Sequence, residues 1–343
     1  MDEITTLDDI ARQTGFSKST VSLALRHHPR IPEPTRRVIE AVAARLNYRP
    51  DPALARIAAN RWRRLSAPST IAYVTTNHPD GGILDDDCIA GARQRAEIFG
   101  YHIEHFRFED YGSAKRLGEV IYSRGIKGVI IGKLCRNDFT ETFPWQHFAL
   151  VASDTGFFRP PIQIVMPDHS HAVHRAWTEA TALGYRRIGL VLFTEYTAVD
   201  YFDKVSAYLF NQRNLPAGER LKIGHFTNGD DAALKAWLRR EKPDVILGFN
   251  GYFCHWLKTL GYVIPRDFGF IALMSGETPT DNLTRLKEDL GLIGQIALDQ
   301  LDVLLRTNQY GLPRIVSTLM IESVWVPGAT LPDLSRPKPR RKS

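Results

Sequence analysis

Between Ser17 and Arg30 the chain places four hydroxyls, Ser17, Ser19, Thr20 and Ser22, among the cations Lys18, Arg26 and Arg30. Short hydroxyls and guanidinium groups hold phosphate oxygens, and a lysine also donates to guanine O6 and N7, so the mixture has the chemistry of a polyanion contact. Such groups need a rigid presenter. Thr6, with Asp9 three positions on and Leu7, Ile10 and Ala11 around it, is a variant of the Ser/Thr-x-x-acid signal that starts a helix. Gly15 stops that helix. Ser17 caps a second one over KSTVSLALR, in which Val21, Ala24 and Leu25 share one face while Lys18, Ser19, Ser22 and Leu23 point elsewhere. A third helix is expected from about Thr35 to Leu46, entered through Pro32 and Pro34, with Val38, Val42 and Leu46 closing a miniature core. Two short helices about a glycine turn predict a helix-turn-helix.

In such a unit the N-terminal residues of the second helix meet base edges in the major groove, while flanking groups fix the register on phosphates. Lys18, Ser19 and Leu23 are the candidate base readers, Leu23 through apolar contact with a thymine methyl. Thr6, Ser17, Thr20, Ser22, Arg26, Arg30, Thr35 and Tyr48 are the candidate phosphate contacts. Each hydroxyl taken singly serves equally well as a helix cap; the weight lies in the constellation.

Bulk properties agree with a DNA-contacting protein and exclude several other classes. At 343 residues, 43% hydrophobic and 24% charged, the chain has globular composition and length for about two or three domains. The opening MDEITTLDDIARQTG is acidic and polar, unlike a signal peptide, and no apolar run reaches membrane-spanning length, so no membrane partner is expected. Cys88, Cys135 and Cys254 are widely spaced and odd in number, which suggests reduced thiols in the cytoplasm and neither a disulfide framework nor a metal site. The net charge of +6 is unevenly spread. Residues 1–66 carry twelve Lys/Arg against seven Asp/Glu, a net +5; the tail SRPKPRRKS adds another +5, which leaves −4 for the body. A basic N-terminal region on an acidic body is the electrostatic signature of nucleic-acid contact. The tail, 335–343, reads as a disordered solubilising end.

The stretch from Thr6 to Pro50 resembles the lactose-repressor (LacI/GalR) family of bacterial transcription regulators. The family's opening has the form T-x-x-D-[IV]-A-x-x-[AT]-G-[VF]-S-x-x-T-V-S and later L-x-Y-x-P-[ND]. Thr6, Asp9, Ile10, Ala11, Gly15, Ser17, Thr20, Val21, Ser22, Leu46, Tyr48 and Pro50 stand at matching positions, while Asp51 departs from the Asn often found there. The resemblance implies a hinge over residues 51–66 that becomes helical when two protomers meet on DNA and wedges an apolar side chain into the minor groove. Ile57 falls at the wedge position, with Ala53 on the same helical face and Leu54 beside it. Leu54 and Ile57 also have a plainer reading as dimer packing, beside the favoured wedge.

Beyond Ser69, short apolar runs alternate with segments of helical length: IAYVTT (71–76), HIEHFRF (102–108), GVIIG (128–132), FALVAS (148–153), IGLVLF (188–193), KIGHF (222–226), DVILGF (244–249) and GFIALM (269–274). Continuous apolar strands spaced by helices predict parallel sheets covered on both faces, and eight of them predict two doubly wound lobes over 67–334, with ligand chemistry at the carboxyl ends of the strands. The expected fold is thus an all-α helix-turn-helix domain over 1–50 and an α/β core. GARQRAEIFGY, KGVIIG, LGYRRIGLVL, GFNGYF and LGYVIPRD extend the resemblance, which implies a periplasmic-binding-protein-like core closing on a small effector such as a sugar.

The resemblance carries over Asp168, Lys204, Asn250 and Ser275 as candidate effector residues. Each also has a structural reading: Asp168 as a helix cap, Asn250 as a loop-backbone partner and Lys204 as an exposed helix lysine. Where many members have G-[FY]-D-[DN], this chain has Ala272, Leu273, Met274 and Ser275. Phe249, Tyr252, Phe253 and Trp256 suit either stacking on a ligand or, more often at helical spacing, a core.

The expected molecule is therefore a homodimeric repressor on a pseudo-palindromic operator, cytoplasmic and nucleoid-associated, with no cofactor. Two alternatives stand beside it. An enzyme lacks its signatures: HSHAVH offers His169, His171 and His174 but no neighbouring third metal ligand, and there is no GxSxG, Walker or GxGxxG motif. A constitutive architectural DNA-bending protein without effector control would explain the altered 272–275 segment and the basic tail.

Overall fold

The structure is a computed structural model that describes residues 5–25, 27, 30–46, 48, 69–76, 86–132, 142–153, 161–194, 198–274 and 282–335. Three helices open the chain: α1 Leu7–Thr14, α2 Lys18–Leu25 and α3 Glu33–Arg45. They enclose Ile10, Val21, Ala24, Ile31, Ile39 and Ala43, with Leu7, Phe16, Leu25, Val42, Leu46 and Tyr48 packed around them. Gly15 ends α1 in the left-handed conformation at φ 74°, which favours glycine, and its N–H closes on the Ala11 carbonyl at 2.9 Å. Pro32 caps α3 and Pro34 lies in its first turn, so the helix begins at Glu33, two residues before the expected start. One expectation is corrected here. Val38 is 51% exposed, and the buried row of α3 is Ile39 and Ala43, with Val42 and Leu46 half-buried beside it. Adjacent i, i+4 rows differ by one residue's rotation, about 100°, which spacing alone cannot resolve.

The chain divides into two compact units, 1–153 with 159–163 and 294–317, and 154–158 with 164–293 and 318–343. In the first, β1 Ser69–Thr75, β2 Tyr101–Arg107, β3 Gly128–Ile131 and β4 Ala149–Ser153 run parallel in the order β4-β3-β1-β2. Helices α4 Asp86–Phe99 and α5 Ala114–Ser123 connect them. The inner strands β3 and β4 are buried at every residue, as a sheet covered on both faces requires, whereas β2 ends the order and carries polar residues.

In the second unit, β5 Gln163–Pro167 pairs in parallel with β11 Thr318–Ile321. The larger sheet of that unit has the order β12-β10-β9-β8-β6-β7. It comprises β6 Ile188–Phe193, β7 Gly224–Phe226, β8 Val245–Gly248, β9 Gly269–Ala272, β10 Arg285–Lys287 and β12 Val324–Val326. Helices α6 His169–Ala182, α7 Ala198–Gln212, α8 Asp231–Glu241 and α9 Gly251–Thr259 surround one apolar core. All eight expected strands are present. β5, β10, β11 and β12 were not expected, and β12 runs antiparallel to β10, so the sheet is not purely parallel. β10 and β12 are three-residue pieces, RLK and VWV, which periodicity does not flag; β5, QIVMP, is a buried apolar run missed in the sequence.

A final helix, α10 Leu290–Arg306, packs from Gly294 onward against α4. Arg95 binds both carboxylate oxygens of Asp299, at 2.6 and 3.0 Å, and the Tyr101 hydroxyl donates to Asp302 at 2.9 Å. Gly294 lies so close to the Cys88 carbonyl that a Cβ would overlap it, with the Ala92 nitrogen 3.0 Å away. In an open helix, Gly→Ala gains up to about 1 kcal/mol from propensity; here backbone overlap should outweigh that gain. Gly294→Ala is expected to destabilise by roughly 1–3 kcal/mol, read as a lower midpoint in urea unfolding, and a raised midpoint would show that the two helices are not in backbone contact.

Candidate nucleic-acid interface and effector residues

The geometry of the reading surface starts at the two helix N-termini. Asp9 reaches back to Thr6 and accepts from its N–H at 2.9 Å and its hydroxyl at 2.7 Å. The Thr6 hydroxyl, then its N–H, hold the Asp9 carboxyl below the usual carboxylate range against a small desolvation cost, and Arg12 adds to the effect. At the second N-terminus the Ser17 Oγ accepts from the Thr20 N–H at 3.1 Å and shares hydrogen bonds of 2.8 Å with the hydroxyls of Ser19 and Thr20. Ser17 is thus a cap, and the hydroxyl constellation is a linked cluster rather than a set of separate groups.

Lys18 opens α2 and is exposed, as are Thr6, Ser17, Ser19 and Arg30. Thr20, Ser22, Thr35 and Tyr48 are half-buried. Leu23 differs from expectation: it is half-buried and packs against the small core, because α2 lies against both α1 and α3 and more than one of its faces is covered. Arg26, Ser275 and Cys135 lie outside the described residues, as do the whole hinge 51–66 with Ala53, Leu54 and Ile57, and the tail beyond Ser335. The unforeseen member of the surface is Asp8, whose Oδ2 lies 2.5 Å from the Lys18 Nζ. Spacing rules for single helices give no signal for it, since the pair crosses from α1 to α2.

The other helices brace this surface. Arg45 donates to the Gln13 side chain at 2.7 Å, and the Thr5 hydroxyl donates to the Leu46 carbonyl at 2.8 Å, tying both ends of α1 to the end of α3.

In the second unit the candidate effector residues stand just beyond strands or on the following helix. Asp168 follows β5, caps α6 and accepts from the His171 N–H at 2.8 Å. Asn250 follows β8, caps α9 and accepts from the Tyr252 N–H at 3.1 Å. The Ser170 hydroxyl meets the Asp203 carbonyl at 3.4 Å, next to Lys204, and the Lys204 ammonium lies 5.5 Å from the centre of the Phe249 ring, next to Asn250. These contacts join the helix that Asp168 caps to the helix that carries Lys204, and Lys204 to the residue before Asn250. Lys204 is 1% exposed, which removes the reading of an exposed helix lysine.

Phe249, Phe253 and Trp256 are core, Phe253 and Trp256 stacked on Phe193 and Phe249 edge-on to it; Tyr252 is 37% exposed and its hydroxyl donates to Asn228 at 3.0 Å. Sequence reasoning missed a buried polar pair: His169 Nδ1 lies 3.5 Å from Glu288 Oε1, whose side chain is 1% exposed. HSHAVH had drawn attention only as a metal motif. His171 faces Glu322 at 3.3 Å, and among the described residues no group of three or more His, Cys, Asp or Glu converges. Among the same residues no helix is long and apolar enough to cross a membrane.

The fold and site define a helix-turn-helix protein with an α/β body. Residues 6–51 match the family described as bacterial regulatory proteins, lacI family. The NTD biosynthesis operon regulator NtdR of Bacillus subtilis (strain 168) is 24% identical over 194 residues, spanning 56% of this chain and little more than half, 56%, of that relative. Among solved structures, the lac repressor dimer bound to operator and the anti-inducer ONPF is 18% identical with a TM-score of 0.56, covering 96% of this chain and all of that one. A lacI-family regulator, CCPA of Weissella paramesenteroides with bound sucrose, is 15% identical with a TM-score of 0.57, covering 77% of this chain and 99% of that one. The operator-bound neighbour shares the fold over nearly the whole chain, helix-turn-helix region and parallel-sheet α/β lobes together, and the sucrose-bound one over about three quarters of it.

Thr6→Ala removes the hydroxyl that donates to Asp9 and leaves the backbone N–H donor in place. We expect a loss on the order of 1 kcal/mol, measured as a lower melting midpoint of the N-terminal domain. The Asp9 pKa is depressed on folding, so its contribution is present above the unfolded value and is lost as pH falls through the folded one. The Thr6→Ala deficit should therefore shrink in acid, and a deficit independent of pH would place the effect elsewhere.

Proposed function

We propose that the chain is a sequence-specific DNA-binding transcription regulator, a repressor, whose operator affinity is set by a small-molecule effector held by its α/β body. The observation that carries this reading is the exposed Lys18–Ser19 N-terminus of α2, braced by α1 and α3 in a helix-turn-helix. Lys18 and Ser19 read base edges, and Leu23 contributes with the part of its surface that the core leaves free. Thr6, Ser17, Thr20, Ser22, Arg26, Arg30, Thr35 and Tyr48 position the helix on phosphates.

The domain organisation is 1–50 for DNA binding, 51–66 for a hinge whose Ala53, Leu54 and Ile57 meet the minor groove, 67–334 for effector binding and dimerisation, and 335–343 for a basic tail. Two copies on a pseudo-palindrome place two α2 helices in successive major grooves. The chain acts as a binding protein in the cytoplasm, associated with the nucleoid, and not as an enzyme. Its effector is a sugar or related metabolite, in line with the sucrose-bound neighbour. Asp168, Lys204, Asn250 and Ser275 supply its polar contacts; Asn250 retains its amide NH2 as a donor while its oxygen caps α9. Effector binding shifts the population of operator-competent protein, a coupling between two sites.

Two measurements test the reading. Lys18→Ala should relax base preference at one position per half-site, with a loss of roughly 1–3 kcal/mol on the preferred operator; equal preference at every position in parent and variant would remove Lys18 as a reader. Titrating sugars, nucleosides and cell extract while following operator affinity should reveal a compound that changes it. Constant affinity across a broad panel would favour the constitutive DNA-bending protein.

A further inference from the structure

We infer that Asp8 is a specificity-determining residue: it holds the Lys18 ammonium as an exchangeable counterion and releases it to a guanine edge, while its own charge opposes approach to the phosphate backbone. The inference rests on the proposed role of Lys18 as a base reader. The pair spans the two helices, from the first turn of α1 to the first residue of α2, with Nζ and Oδ2 2.5 Å apart. Both side chains are more than half exposed, 58% for Lys18 and 55% for Asp8, so the pair lies on the surface and not in the domain core. Folding of α1 does not call for this carboxylate, because Asp9 is the acid that reaches back to Thr6. The T-x-x-D pattern is likewise indifferent to it, as Asp8 occupies its second open position.

An exposed ion pair is weak, so it opens readily when a better partner is offered. Guanine O6 and N7 are two adjacent acceptors at the mouth of the major groove, and together they compete with a single carboxylate. A cytosine or adenine at the same place presents an amino donor and competes poorly. The first helix of a helix-turn-helix crosses the DNA backbone, so Asp8 also carries negative charge toward phosphates. With Lys18 neutralised on non-cognate DNA, one cation fewer displaces condensed counterions there. Asp8 therefore weakens non-specific binding more than cognate binding, and the ratio between them rises.

The test uses the full chain and four proteins: parent, Asp8→Asn, Lys18→Ala and the double variant. Each is titrated on an operator selected in vitro with the parent, on a panel substituted at each half-site position, and on random duplex over a range of salt. Circular dichroism melts confirm that Asp8→Asn leaves the helical domain folded. Asp8→Asn is expected to bind random duplex several-fold more tightly with a salt slope steeper by about 0.9, to bind the selected operator within about twofold of the parent, and to lose base preference at the one position that Lys18→Ala also relaxes. In the Lys18→Ala background it should leave the preference at that position unchanged. Equal gains by Asp8→Asn on operator and random duplex, or no change on either, would overturn the inference while leaving Lys18 as a reader. An unaltered base preference in Lys18→Ala overturns the underlying reading, and the inference with it.

Discussion

Everything the N-terminal domain presents outward depends on how six small and medium apolar side chains close inward. Ile10, Val21, Ala24, Ile31, Ile39 and Ala43 make a core too small to tolerate slack. Domains of this size bury a smaller share of their surface than larger ones and are marginal for that reason. The alanines at 24 and 43 let the helices approach closely, and the polar ties from Arg45 to Gln13 and from Thr5 to Leu46 fasten the ends. With α2 clamped in this way, its first turn projects Lys18 and Ser19 while its last turn is covered. The reading surface is what the core leaves exposed.

The α/β body obeys a different constraint. Strands buried on both faces have no polar side, so charge and hydroxyl chemistry is pushed to strand ends and helix starts. Asp168 and Asn250 occur there, each as a helix cap whose remaining hydrogen-bonding capacity points beyond the backbone it satisfies. Lys204 is the exception that carries a charge inward, against Phe249. The half-buried His169 and the buried Glu288 form a second polar inclusion at the start of α6 and the end of β10. Buried ionisable groups are costly unless they are paired, so two such features in one unit mark where that unit departs from pure packing.

Local chemistry made much of this visible in advance. The Thr6–Asp9 start, the Gly15 stop and the Ser17 cap each depend on neighbours within three or four residues, and each stands where the residue types place it. The eight expected strands were legible because unbroken apolar runs such as IGLVLF and DVILGF have few other uses at that length. Of the missed strands, β10 and β12 are three residues long and β11 alternates exposed and half-buried positions, while β5 and β11 pair across about 150 residues of chain, so their pairing leaves no local pattern.

Sequence alone determined the helix-turn-helix, the alternation that builds the α/β body and the residue types available for DNA contact, because capping, turn geometry and periodicity act over one or two turns of chain. Tertiary structure decided what those residues touch. It turned α3 so that Ile39 and not Val38 faces the core, drew Leu23 partly inward, buried Lys204 and brought Asp8 to Lys18. These outcomes depend on the rotation of one helix against another, a quantity set by packing between distant segments that no local spacing encodes.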